Sequence, residues 1–399
     1  MSFFSSVAQA PADPILGITE KYNADPRPNK VNLGVGVYQD DAGRVPLLRC
    51  VELAEQRLAE RPKPRGYLPI DGLASYDNDV RELVFGADSP ALAAGRVMTV
   101  QALGGTGALK IGADLLAVIN PDAKVWISTP SWENHRALFS RAGFEVVEYR
   151  YYDRASHRVD IDGMLADLRT AEPGSIVVLH ACCHNPTGFD LSHDQWEQVF
   201  EVLTERRLVP FVDLAYQGFS EGLEADSWVV RELAARAPSF LCATSFSKSF
   251  SLYGERVGAL SIVCADAEEV DRVRSQLKIV IRTNYSNPPT HGAMLVATVL
   301  ADDQLRQLWE EELAGMRERI KRMRRALVDG LEAAGVMDMG TIVEQVGMFS
   351  YSGLSTEQMG RLREEFAVYG TDVGRICVGA LNPGNVDHVA RAIAAVRQS

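Results

Sequence analysis

The sequence is sparing in several features at once, and each shortage excludes a class of protein. Six cysteines (Cys50, Cys182, Cys183, Cys242, Cys264 and Cys377) are scattered over 399 residues without a repeated spacing. A secreted disulfide framework is denser and shorter, so reduced thiols in a cytoplasm are expected. No run reaches the roughly 18–20 apolar residues of a membrane span. Ala8-Gln9-Ala10 looks like a signal-peptidase site. However, no basic residue and no apolar run of about seven residues precedes it, so no signal peptide is expected. Positive charge is also short: 41 Lys+Arg against 53 Asp+Glu leave a net charge of −12. With no basic stripe or arginine-rich tract, a nucleic-acid partner is not expected. Internal repeats, low-complexity tracts and flexible linkers are missing as well, so any domains are interleaved along the chain.

What is present is a globular composition, 46% hydrophobic and 24% charged, on a chain long enough for two or three domains at roughly 150 residues each. Val31–Tyr38 reads as a short apolar strand interrupted by two glycines. From about residue 96, β-type runs alternate with helix-length stretches. Strands are predicted at 97–103, 125–128, 175–180, 209–213, 241–245 and 259–263, with helices at 108–120 and 133–142. Such alternation implies an α/β fold with a mainly parallel sheet between helices. Residues 302–332 read as one long charged helix, with Leu305, Leu308, Leu313, Met316, Ile320 and Met323 at helical spacing. Beyond it, Met348–Tyr351 and Arg375–Val378 read as short strands of a smaller α/β unit.

Four constellations carry chemistry. Gly104-Gly-Thr-Gly107 joins a strand to a helix, and amides at a helix N-terminus bind phosphate well. A bland tight turn is the competing reading, and the run lacks both a P-loop's spacing and the full dinucleotide register. Thr244-Ser-Phe-Ser-Lys248, followed by Arg256, offers Ser245, Ser247 and Arg256 to a phosphate dianion and the amine of Lys248 to an aldehyde. A surface lysine in a serine-rich loop is the alternative. Asp213 ends an apolar strand, where open α/β sheets place their ligands. It is either a helix cap or a carboxylate that keeps a bound pyridine nitrogen protonated, with Tyr216 in reach of the ring hydroxyl. His180-Ala-Cys-Cys-His-Asn-Pro-Thr-Gly188 invites a zinc reading. Adjacent cysteines on a strand point apart and no second C-x2-C pair exists, so no metal is expected. The informative part is Asn185 in the turn after a buried strand.

In this order and spacing, Asn-Pro-Thr-Gly, Asp-x-x-Tyr and Ser-x-Ser-Lys with a downstream Arg resemble the class I pyridoxal-phosphate aminotransferases. The likeness is greatest to the bacterial aspartate/aromatic-amino-acid aminotransferase subgroup and runs from Asp13-Pro-Ile-Leu-Gly17 through Gly347-Met-Phe-Ser350 to Arg375. It implies the fold type I of pyridoxal-phosphate-dependent transferases, with a seven-stranded, mainly parallel sheet. Residues 1–45 would form an N-terminal arm and part of a small domain, 46–310 the large cofactor-binding domain, and 311–399 the rest of the small domain. It implies pyridoxal 5'-phosphate held by Lys248 as an imine, with Lys248 then moving a proton at the substrate Cα. Asp213 would pair with the pyridine nitrogen, and Tyr216 and Asn185 would bind the ring hydroxyl. Gly105, Thr106, Ser245, Ser247 and Arg256 would bind the phosphate, joined by Tyr67 of a neighbouring subunit. Trp132 would pack on the ring, with His135 and His180 behind Asp213. Arg375 would grip the substrate α-carboxylate, aided by Asn185 and the backbone of Gly36. Arg282 would reach a distal carboxylate in the partner's site. A homodimer with shared sites follows.

The amino donor is less legible. Val37, Thr106 and Asn287 resemble aspartate-specialised relatives, whereas Gln39, Val45 and Gly66 depart from that pattern and suggest a more apolar rim. Ala102-Leu-Gly-Gly105, Trp132-Glu-Asn-His135 and Ser249–Gly254 resemble the aromatic group. The expected activity is transfer from aromatic amino acids, and from aspartate or glutamate, to 2-oxoglutarate, with an aromatic preference. An aspartate aminotransferase with only side activity on aromatics is the alternative, and a dinucleotide-dependent reductase a distant one. A pyridoxal-phosphate transcription regulator would need a DNA-binding helix pair ahead of residue 1. A β-lyase or decarboxylase is possible on the same fold, but Arg282 together with Arg375 favours transamination of diacids.

Overall fold

The computed structural model describes residues 2–10, 16–62, 64 and 66–398, so the Asp13–Gly17 match lies partly outside the described residues. Seven strands form the central sheet: β1 (Val97–Leu103), β2 (Lys124–Thr129), β3 (Glu145–Arg150), β4 (Ile176–His180), β5 (Val209–Leu214), β6 (Phe240–Ser245) and β7 (Val257–Val263). Their spatial order is β1-β7-β6-β5-β4-β2-β3. All neighbours run parallel except β7, which is antiparallel to both β1 and β6.

The inner strands are apolar on both faces because both are covered: every residue of β6 and of β7 is buried. Successive side chains of β4 enter different cores. Ile176 and Val178 pack with the helices Gly104–Ile119 and Ala267–Asn284, while Val177 and Leu179 pack with the rest of the molecule on the opposite face.

The reversed strand β7 positions the site. A parallel β7 would end at this edge, whereas the antiparallel one begins here, so Arg256 arrives beside the carboxyl ends of its neighbours. The register sets Val257 against Leu103 and Gly258 against Ser245. A Cβ on Gly258 would lie 2.4 Å from the carbonyl carbon of Gly104, so this approach requires glycine.

The glycine run 104–107 is the first turn of helix Gly104–Ile119 and not a separate turn before a helix at 108. Val31–Tyr38 is extended strand only at Val31–Asn32, which pairs in parallel with Val368–Tyr369. Beyond it the backbone is taken by other partners: Leu33 N–H donates to the Tyr369 carbonyl and the Gly34 carbonyl accepts from Arg375. The strand before Cys182 stops at His180. Both cysteines therefore sit in the bend after it and not on a strand, as buried free thiols. The long helix is Asp303–Ala333, and Phe349–Tyr351 pairs antiparallel with Arg375–Cys377.

Candidate active site

Along the carboxyl edge of the sheet lies a cavity of about 400 Å³. It brings together Gly36, Gly105, Thr106, Trp132, His180, Asn185, Asp213, Tyr216, Ser245, Ser247, Lys248, Arg256 and Arg375, thirteen residues singled out from the sequence. His135 stands directly behind them. The edge collects them because β4 and β6 end there with His180 and Ser245, β5 carries Asp213 one residue before its end, and the loops that follow add the rest.

At one wall the first turn of helix Gly104–Ile119 meets Arg256. The early amides of a helix have no intrahelical partner, so Gly105 and Thr106 stand where an anion is favoured. Arg256 Nη1 donates to Ser247 Oγ at 3.2 Å and to the Tyr253 carbonyl at 3.1 Å. Gly104 has φ +70°, and a Cβ there would lie 2.5 Å from Arg256 Nη2. Backbone amides, two serine hydroxyls and a guanidinium thus converge without a carboxylate, which is the donor set of a phosphate cradle.

Asp213 is buried, and His135 Nε2 donates to its Oδ2 at 2.9 Å. Because an ionised carboxylate only accepts, this bond places the proton on Nε2, and Nδ1 then accepts from Ser131 Oγ at 3.0 Å. Burial pushes the Asp213 carboxyl up. The His135 hydrogen bond, with neighbouring positive charge that includes Lys248, outweighs burial and holds it below the usual carboxylate range. His180 is the register partner of Asp213 but makes no hydrogen bond to it. Both ring nitrogens of His180 lack partners, and burial, then the adjacent His135 ring, pushes it down to about 3, so it is neutral. The support of Asp213 expected from two histidines thus comes by hydrogen bond from His135 alone. Donor atoms of His135, His180 and Asp213 lie within 4.8 Å of one another, yet two of the three are already joined by a hydrogen bond.

Lys248 is half-buried, with Nζ 5.2 Å from the Tyr216 ring centre. Burial brings its amine down to about 8; Arg256 and Arg375 push the same way and Asp213 opposes them. Burial also drives the Tyr216 phenol well above its ordinary value, so it stays a proton donor.

Arg375 is 1% exposed. Its Nη1 donates to Asn185 Oδ1 at 3.0 Å and its Nη2 to the Gly34 carbonyl at 2.8 Å, while Nε has no partner. Its guanidinium lies 4.3 Å from the centre of the Phe349 ring. Gly36 makes room for that ring, since a Cβ there would lie 2.5 Å from Phe349 Cζ. A buried cation facing a cavity, with no acidic partner among the described residues, suits an anion.

Two residues stand apart. Tyr67 is 95% exposed, and Arg282 is exposed and donates to Ser286 Oγ. Neither lines the cavity of its own chain. Among the specificity positions, Val37 and Thr106 line it, whereas Gln39, Val45, Gly66 and Asn287 do not. Asn287 instead donates to the Leu68 carbonyl at 3.0 Å. Tyr38, at the end of the strand predicted over Val31–Tyr38, is buried with the Arg319 guanidinium 5.4 Å from its ring centre.

Sequence reasoning missed several contributors. Phe349 and Tyr253 line the cavity; both fall within motifs that the resemblance covers, but aromatic residues without a charged partner carry little signal. His184 is held by Ser128 at 2.9 Å and Thr187 at 2.8 Å, and stacks on Tyr151. Asp190 accepts from the backbone N–H groups of Cys183 at 2.7 Å and His184 at 2.8 Å. Together these residues fix the turn that presents Asn185.

An α/β sheet carrying a phosphate cradle, a lysine with a lowered pKa and a carboxylate behind the cavity defines a pyridoxal-phosphate enzyme. The class I and II aminotransferase family matches residues 28–393. The aspartate aminotransferase of Pseudomonas aeruginosa is 58% identical over 99% of this chain and 100% of its own length. The aromatic-amino-acid aminotransferase of Escherichia coli is 49% identical over 98% and 100%. A solved aromatic-amino-acid aminotransferase from Burkholderia pseudomallei, covalently bound to pyridoxal phosphate, is 63% identical with a TM-score of 0.97, covering 99% of this chain and all of that one. This chain belongs to the class I and II aminotransferases, and it is a pyridoxal-phosphate-dependent transaminase acting on amino and oxo acids.

Proposed function

We propose that the enzyme moves amino groups from aromatic amino acids, and from aspartate or glutamate, to 2-oxoglutarate, with a preference for aromatic donors. The observation that carries the amino-acid part of this reading is Arg375, a buried guanidinium whose Nε has no hydrogen bond and which has no acidic partner among the described residues, while the aromatic preference rests on the resemblance of the rim motifs. The relatives' names support both donor classes.

The residues present fit pyridoxal phosphate: the cradle suits its phosphate, and Asp213 and Tyr216 suit its ring. Bound there, the cofactor supplies an electron sink for the negative charge that develops at the substrate Cα. In this proposal Gly105, Thr106, Ser245, Ser247 and Arg256 bind the phosphate. Asp213, held by His135, keeps a proton on the pyridine nitrogen, while Tyr216 and Asn185 hydrogen-bond the ring hydroxyl and Trp132 packs on the ring. Arg375 pairs with the substrate α-carboxylate through parallel hydrogen bonds, which leaves the Cα proton within the range of Lys248. The Lys248 amine would take that proton from the substrate Cα and hold it for return once the charge has passed into the cofactor. An amine brought down to about 8 suits this exchange, because catalytic acid–base groups work best near the operating pH.

The proposal includes a homodimer in which Tyr67 and Arg282 serve the neighbour's site. Both are exposed and lie outside their own cavity, which supports a role in trans. The division of the chain into 1–45 with 311–399 against 46–310 rests on the pairing of Val31–Asn32 with Val368–Tyr369. No helix among the described residues is long and apolar enough to cross a membrane. Six buried free thiols support a reducing cytoplasm.

Single-turnover mixing of the cofactor-loaded enzyme with phenylalanine and with aspartate tests the donor range. Comparable bleaching of the cofactor band by both supports dual specificity. A response to aspartate alone makes it a plain aspartate aminotransferase.

A further inference from the structure

A second basic cavity, of about 290 Å³, lies outside the site described above. It opens on the long helix Asp303–Ala333, between the loop holding Phe219 and Ser220 and the segment around Gln345–Gly347. Arg317, Lys321, Arg324 and Arg325 all line it, and no acidic residue does. Residues 317, 321 and 325 are spaced by four, so they stack along one helix face with Arg324 beside them. Four cations converge here in a chain whose net charge is −12.

The local partners leave this charge largely uncompensated. Arg324 is 2% exposed and touches only neutral acceptors: the carbonyls of Ile342, Gly347 and Phe349 and the side-chain oxygen of Gln345. Arg317 Nη1 donates to the Gly218 carbonyl at 2.9 Å, and its Nε is buried without a hydrogen bond, 3.5 Å from Glu318. Lys321 pairs with the same exposed Glu318 at 3.0 Å. Arg325 is exposed and has no hydrogen bond or ion pair among the described residues. A buried cation without a counter-charge is costly unless an anion completes it.

We propose that this cavity is a binding site for a small multivalent oxyanion, a diphosphate-type or polycarboxylate ion, distinct from the transamination site. The buried Arg324 guanidinium forms its floor. Arg317, whose only acidic contact among the described residues is exposed Glu318 at 3.5 Å, stands at the wall, and Lys321 and Arg325 close the mouth from solvent. Guanidinium groups suit phosphate and carboxylate oxygens alike through paired hydrogen bonds, so the chemistry is shared and the source is decided by experiment. The two cavities share no lining residue, and hydrogen bonds tie the segments between them: Arg324 Nη2 donates to the Phe349 carbonyl at 2.5 Å, and Val346 N–H to the Gly188 carbonyl at 2.7 Å.

The test is calorimetric titration of the cofactor-loaded, borohydride-reduced enzyme with pyrophosphate and, separately, citrate. Ionic strength is held constant so that screening does not change. Saturable binding with Kd below about 1 mM is expected for at least one ion. The double substitution Lys321→Gln/Arg325→Gln, at two exposed positions, is expected to weaken it by at least about tenfold. Arg317→Gln alone is expected to weaken it as well, whereas Arg136→Gln, which removes a surface pair with Glu148, leaves it unchanged. Binding of pyrophosphate alone assigns a phosphate ligand, and of citrate alone a carboxylate ligand. No saturation by about 10 mM, or an unchanged Kd in the double variant, overturns the proposal.

Discussion

Arg375 Nη1 lies 3.0 Å from Asn185 Oδ1, so a buried guanidinium is oriented by a neutral amide and has no carboxylate partner among the described residues. The positive charge is thereby reserved for a ligand, and the amide sets its plane.

This pairing predicts that Arg375→Lys lowers kcat/KM for aspartate and phenylalanine alike. Losing a buried charge-paired contact costs about 2–5 kcal/mol, or roughly 30- to 5,000-fold. Steady-state kinetics with both donors check it. A loss confined to aspartate would move Arg375 to the distal carboxylate.

Arg282 and Tyr67, exposed on their own chain, lead to a mixing experiment. Lys248→Ala and Arg282→Ala chains are each expected to be inactive towards aspartate. Random reassociation of equal amounts is expected to restore about a quarter of wild-type activity, because half the dimers are hybrids with one intact site of two. No recovery in verified hybrids would show that the sites are not shared.

The Lys248 amine, brought down to about 8 chiefly by burial, gives a pH signature. Below that value it is protonated and not nucleophilic; above it the lone pair is free. The rate at which apoenzyme captures pyridoxal phosphate is expected to rise about tenfold per pH unit up to pH about 8 and then level off. A rise continuing towards the ordinary lysine value near 10.5 would mean that the amine is solvated and unperturbed.

Removing the carboxylate behind the ring, in Asp213→Ala, is expected to slow single turnover by roughly 10²- to 10³-fold or more, in line with losing a pre-positioned charge. His135→Phe is expected to cost less, since it removes only the hydrogen bond that orients Asp213. Stopped-flow absorbance on both variants tests the ranking, and equal losses would place His135 in direct contact with the reaction.

The close approach of β7 to the helix start makes Gly258→Ala a packing test. Its Cβ would meet the Gly104 carbonyl carbon at 2.4 Å and the Thr244 carbonyl oxygen at 2.7 Å. Overpacking of this kind typically costs about 1–3 kcal/mol, read by denaturant unfolding, and weaker cofactor retention is expected with it. Unchanged stability and retention would mean that the edge can open without disturbing the cradle.

Much of the architecture was legible because local physics decided it. Strands such as Phe240–Ser245 are continuous apolar runs between turn residues, and the helix Asp303–Ala333 carries its core residues at helical spacing. Asn185, Asp213, Ser245 and Lys248 lie at or just past the ends of such strands, yet each alone has an ordinary alternative reading; their joint order and spacing, as a resemblance to the class I aminotransferases, singled them out. The strand expected through Tyr38 was not, since Arg375 takes the Gly34 carbonyl from 341 positions away. Phe349 and Asp190 gave little local sign of their roles, which arise only where distant segments meet.

By itself, the sequence determined the alternation of strands and helices, the Ser-x-Ser-Lys motif that carries Lys248 and the order of the polar motifs around it. These depend on neighbouring residues and side-chain chemistry. Tertiary structure alone decided that β7 runs backwards and delivers Arg256 to Gly104, that Arg375 is buried with no acid beside it among the described residues, and that His135 and not His180 holds Asp213. The physical reason is that charge balance, hydrogen-bond partnership and lowered pKa values are properties of a three-dimensional neighbourhood, and no stretch of chain contains that neighbourhood on its own.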